Sequence, residues 1–131
     1  MQTLLSRDEI TISKSIENQL IYAKWDGSFT NQQIMDYLKY LLKVFMLHEP
    51  KRYVADLLRF HPSEPYDQIW IKDVFFPKAY THGLRYVAVV MPQDFIDKMP
   101  VMKSLEPKFE VIQNMFPSVE SANSWILSQH N

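Results

Sequence analysis

Two short runs, "RYVADLLRF" at residues 52–60 and "LRYVAVV" at residues 84–90, do most to limit what this chain can fold into. Each is too short for an ordinary helix, β-branched or aromatic in part, and too continuously apolar for a strand with one wet face. Strands of that kind lie inside a sheet covered by helices on both faces. The intervening sequence agrees. From Ser28 onward, "SFTNQQIMDYLKYLLKVFML" takes the helical period, with Ile34, Leu38, Leu41, Leu42 and Phe45 on one face. Thr30 stands as N-cap and Gln33 follows three residues later, which is capping-box spacing. Ahead of this helix, Ile10 and Ile12 alternate with Thr11 and Ser13. After a turn at "ENQ", Leu20, Tyr22 and Lys24 share one face, and Ile21, Ala23 and Trp25 the other. The pattern predicts a hairpin whose second strand ends at Asp26 and Gly27.

Beyond residue 60, Pro62 and Pro65 bound a loop, and "EPYDQIWIKDVFF" predicts a second helix with Pro65 in its first turn and Pro77 at its end or at a kink. Pro92 stops the "LRYVAVV" strand. Residues 93–108 predict a short turn and then a short helix starting at Pro100. "FEVIQNMF" predicts a last strand, and Ser118 caps a closing helix with Ala122, Trp125 and Ile126 inward. The order is β β α β α β α β α, one α/β domain over residues 1–131 with a mixed, mostly parallel sheet of about five strands and helices packed on it.

Composition removes several classes of function. With no cysteine, neither disulfides nor thiolate chemistry is open to the chain. With only Gly27 and Gly83, no glycine-rich phosphate loop can be written. Fourteen Lys and Arg against fifteen Asp and Glu leave a net charge of -1, so no global field draws nucleic acid. No apolar run reaches the ~20 residues of a membrane span, and the N-terminus lacks a signal-peptide core. The expectation is a cytoplasmic protein that needs no cofactor.

The segments "WDGSFTNQQ", "YVADLLRF", "IWIKDVFFP", "LRYVAVV" and "FPSVESANSWIL", in that order, resemble the STAS domain fold, and within it the small bacterial SpoIIAA-like proteins. The likeness runs from about residue 9 to residue 127. Regulatory members of that family carry an Asp-Ser pair in the loop after the central strand, where an anti-sigma-factor kinase phosphorylates the serine. Here the loop reads "RFHPSEP", and Ser63 has no acid before it. The resemblance therefore implies the fold and a regulatory, protein-binding role without that phospho-switch.

In α/β sheets ligands bind beyond the carboxyl ends of the strands. The residues there are Trp25 and Asp26, then Asp56, Arg59 and His61, then Met91 and Gln93. Strict alternation sets Asp56, Leu58 and Phe60 on one face and Ala55, Leu57 and Arg59 on the other, so Asp56 and Arg59 are not automatic partners. Asp56 is expected to accept hydrogen bonds from the amides of residues 25–28 or to pair with a cation. His48, His61, His82 and His130 have no metal-ligand spacing, although His61 and His82 are open to approaching each other. No nucleophile elbow exists. Acid-base chemistry by Asp56 and His61 ranks third among the readings.

The aromatic second helix is the anomaly, because Ile69, Trp70, Val74 and Phe76 cannot all face the sheet together with Ile71 and Phe75. Met35, Tyr37, Tyr40 and Val44 likewise lie off the core face of the first helix. Either the two helices pack together, or this surface meets a protein partner, a second copy in a homodimer, or a small apolar ligand under the second helix, as in the CRAL-TRIO lipid-binding fold by analogy. The expectation is a non-catalytic protein-interaction or regulatory domain, with an apolar-ligand or lipid carrier or sensor as runner-up. Its candidate residues are Trp25, Asp26, Asp56, Arg59, His61, Ser63 and Trp70.

Overall fold

A computed structural model of the chain describes residues 1–97 and 111–130. Its strands are β1 (Gln2–Ser6), β2 (Ile10–Ser15), β3 (Leu20–Phe29), β4 (Arg52–Pro62), β5 (Tyr86–Val90) and β6 (Ile112–Phe116). Its helices are α1 (Asn31–His48), α2 (Gln68–Trp70), a π turn (Ile71–Phe75), α3 (Phe76–Thr81), α4 (Gln93–Asp97) and α5 (Val119–Leu127). The helix expected to start at Pro100 lies outside the described residues. The strands form one sheet in sequence order, antiparallel from β1 to β3 and parallel from β3 to β6. No helix among the described residues is long and apolar enough to cross a membrane.

The sheet has six strands where about five were expected. β1 escapes sequence reading because it is an edge strand with exposed ends and no alternation, "QTLLS". β3 also runs past Asp26 and Gly27 to Phe29, since Gly27, at a φ of 121°, keeps the strand paired with β4 through Gly27–Phe60 and Ser28–His61.

The two faces of the sheet carry separate cores. α1, the π turn and α3 cover Ile21, Ala23, Trp25, Tyr53, Ala55, Val87 and Val89, whereas α5 covers Leu20, Val54, Tyr86, Ala88 and Val90 with Ala122 and Ile126. Arg52 docks α5 by donating to the carbonyls of Ile126 and Gln129 at its C-terminal end, at 3.0 and 2.6 Å. The capping box of α1 is present as read. Gln33 N–H donates to Thr30 Oγ1 at 3.2 Å, and Thr30 N–H to Gln33 Oε1 at 2.8 Å. α5 is capped by Ser118 through the Ser121 amide.

Pro65 lies outside the second helix, which starts after Asp67, whose carboxylate accepts from the Trp70 amide at 2.9 Å. Pro77 does not end it. In a regular helix its ring would collide with the Asp73 carbonyl and it could donate nothing there. The chain widens into a π turn instead, with the Phe76 N–H donating to Ile71 O, five residues back. The extra residue turns both Phe75 and Phe76 inward, while Ile69 is left 70% exposed. The surplus apolar stripe is therefore mostly packing. Phe75 meets Phe45 of α1 at 5.9 Å, so the two helices do pack together, while Tyr37 of α1 packs on Trp25 of β3 at 5.9 Å.

At the end of α1, His48 Nδ1 accepts from the Lys14 ammonium at 3.2 Å. Burial, and then the Lys14 charge, hold His48 below its ordinary value of 6.5. Because the folded value is the lower one, the unfolded chain takes up the proton first, so this contribution to stability is full above pH 6.5 and is lost as pH falls through it. Melting curves from pH 7.5 to 5 should decline less for His48→Gln than for the parent; identical slopes would remove His48 as a cause.

Candidate apolar site beneath the second helix

A cavity of about 190 Å³ opens between the parallel strands on one side and α1, α2 and the π turn on the other. Two registered rows make its floor: Tyr53, Val87 and Gln113, then Ala55, Val89 and Met115. The small residues at the centre of these rows leave space that the surrounding rings do not fill. Ile71, Phe75 and Phe76 form the roof, and Trp25, Phe60 and Tyr66 one end. The loop bearing Tyr66 is tied to the start of α1. Asn31 N–H donates to Glu64 at 2.9 Å, Asp67 N–H donates to the Asn31 side chain at 3.1 Å, and the Ser63 amide and hydroxyl both donate to Phe29 O.

The lining contains no charged residue among those described, and its polar groups are few. Burial raises the Tyr53 phenol, with the nearby Trp25 side chain pulling slightly the other way. The buried Trp25 indole N–H lies near enough to that hydroxyl to exert this pull, but the contact does not close into a well-formed hydrogen bond. Burial also raises Tyr66, beside Gln68. The other orphan is Gln113 Oε1, buried with no donor. Among the described residues these are the two buried side-chain polar atoms without partners, and both residues line the cavity.

No family model and no curated protein matches the chain. Among solved structures it is similar to the crystal structure of an uncharacterised protein of the DUF3478 family with a SpoIIAA-like fold, from Shewanella loihica PV-4. That likeness has a TM-score of 0.56 at 15% identity and covers 93% of this chain and 98% of the other. The fold is SpoIIAA-like.

Within the SpoIIAA-like frame, only Trp25 of the seven candidate residues lines the cavity. Asp56 points to the opposite face, 5% exposed, where it accepts from Tyr22 Oη at 2.7 Å and from the Leu58 amide at 3.2 Å. The amides of residues 25–28, expected as its donors, are not the ones used, because a bulge intervenes. Between the pairs Lys24–Asp56 and Asp26–Arg59, β4 carries one residue more than β3. The bulge overturns strict alternation: Phe60 joins Leu57 on the cavity face, and Leu58 stays on the α5 face. Arg59 consequently meets Asp26, at 3.1 Å, as an exposed ion pair worth roughly 0 to 1 kcal/mol.

His61 is the penultimate residue of β4, and it is exposed. Five residues of strand, roughly 15 Å, separate it from Asp56, so the structure does not bring this pair together. Nor do His61 and His82 meet, since parallel pairing places the end of β4 and the start of β5 at opposite ends of the sheet. No group of three potential metal ligands occurs among the described residues. Ser63 lies five residues ahead of α2 with its hydroxyl on Phe29 O. Trp70 is half-buried against Phe75, with ring centroids 6.3 Å apart. Sequence reasoning missed Tyr53 and Gln113. The signal for Gln113 was an inversion in the last strand, a polar residue at the inward register with Ile112 turned out.

Proposed function

We propose that this chain is a non-catalytic binding domain that holds a small apolar ligand between its sheet and the second helix. The observation that carries the reading is the cavity itself: apolar, about 190 Å³, with a few convergent polar groups, two of them unpartnered. An engineered cavity of about 150 Å³ is enough to hold benzene in another protein, so the space suits a substituted ring. Its position beneath the π turn supports the same reading, as such turns recur at functional sites.

The test is native mass spectrometry of the purified protein across a concentration series, followed by melting with and without ethylbenzene. Expected are a monomer carrying a small-molecule mass and a melting midpoint that ethylbenzene raises by mass action. Ala55→Leu, which fills the floor of the cavity, should keep the fold and lose the response. A bare protein indifferent to ethylbenzene would sink the reading. A second reading, a regulatory protein-interaction domain or homodimer, draws on Met46 and Leu47, which remain exposed near the end of α1. A dimer that grows with concentration would favour it.

A further inference from the structure

Resting on that reading, the two unpartnered atoms specify what the cavity takes. Gln113 and Tyr53 belong to one registered row, two strand spacings apart, which sets their backbones about 10 Å from each other. At one end the buried Trp25 N–H closes no well-formed hydrogen bond, with only the Tyr53 hydroxyl near it, and at the other end the Gln113 oxygen lacks a donor. Folded proteins satisfy nearly all buried polar atoms, and groups left over call for a partner. The floor between these ends is Val87 and Val89, so a ligand that reaches both polar atoms needs an apolar middle. The described lining residues carry no charge, so among them a carboxylate or ammonium group would find no counter-ion. The rings of Trp25, Phe60, Tyr66 and Phe75 present edges and faces that suit another ring.

We infer that the cavity binds a neutral, single-ring aromatic compound with a carbonyl at one end, accepting from Trp25 Nε1–H, and a hydroxyl or N–H at the other, donating to Gln113 Oε1. Calorimetric titration of the protein with para-hydroxyacetophenone, acetophenone, para-ethylphenol and ethylbenzene tests it. Each satisfied end should tighten binding by about fivefold to tenfold, so the first compound binds best and ethylbenzene least. Gln113→Leu should erase the advantage of the hydroxyl and leave that of the carbonyl. Trp25→Phe, checked for an intact fold, should do the reverse. Equal affinities for all four compounds, unchanged in Gln113→Leu, would overturn this assignment while leaving the cavity as an apolar site. Failure of all four to bind, ethylbenzene included, would overturn the cavity reading and this inference with it.

Discussion

Phe45→Ala is expected to destabilise the fold by about 3 to 5 kcal/mol, the range for removing a fully buried ring. Phe45 is 0% exposed, and its ring meets Tyr53 at 5.3 Å and Phe75 at 5.9 Å. It joins three layers at one point: the α1 helix, the centre of the sheet, and the π turn that roofs the cavity. Losing it costs the transfer free energy of the ring and leaves a void that the sheet below cannot close by moving. For a domain of this size the midpoint should fall by roughly 10 to 20 °C. Urea denaturation checks the figure, and Phe45→Leu should cost less because most of the volume remains. A loss under about 1 kcal/mol would mean that the helices are not clamped through this ring.

Asp56→Ala should cost about 1 to 3 kcal/mol, because it strands two donors, the Tyr22 hydroxyl and the Leu58 amide. Tyr22→Phe removes the hydroxyl partner, and the double variant should lose less than the sum of the two, since no phenol then seeks an acceptor. There is a pH signature as well. Burial first, and then the hydrogen bond to Asp56, raise the Tyr22 phenol above its ordinary value of 10.0. A raised folded value means that the stabilisation is complete below pH 10 and is lost as pH climbs through and beyond it. Tyr22→Phe should therefore show a shallower alkaline decline than the parent. If Asp56→Ala melts at the parent's midpoint, the carboxylate is not structural and has to be accounted for in some other way.

Much of this was legible in the chain. The α1 face, its capping box, the Ser118 cap and the doubly buried strands rest on interactions within a few residues of one another, so the sequence records them directly. The site was legible only in part. Trp25 was picked out by the rule that ligands sit beyond strand ends, although it lies within β3, which runs on to Phe29, and Tyr53 and Gln113 belong to a row assembled by register across three strands. Phe60 was set on the wrong face because nothing local reveals a bulge; alternation holds until one residue is left unpaired by a neighbouring strand. The second helix was misread for a related reason. Its apolar stripe is wider than a 3.6-residue period permits, and the π turn ahead of Pro77 is what accommodates it.

The amino-acid sequence by itself determined an α/β domain whose parallel strands are covered on both faces, where its main helix begins, and that neither cysteine chemistry nor a glycine-rich phosphate loop is available. Tertiary structure alone decided that Asp56 and Trp25 serve opposite faces, that His61 and His82 lie at opposite ends of the sheet, and that an apolar cavity with two unpartnered polar atoms opens under the π turn. The division has a physical origin. Periodicity and capping are short-range properties written into neighbouring residues, whereas a void and an orphaned hydrogen-bonding group are defined by what distant segments fail to supply.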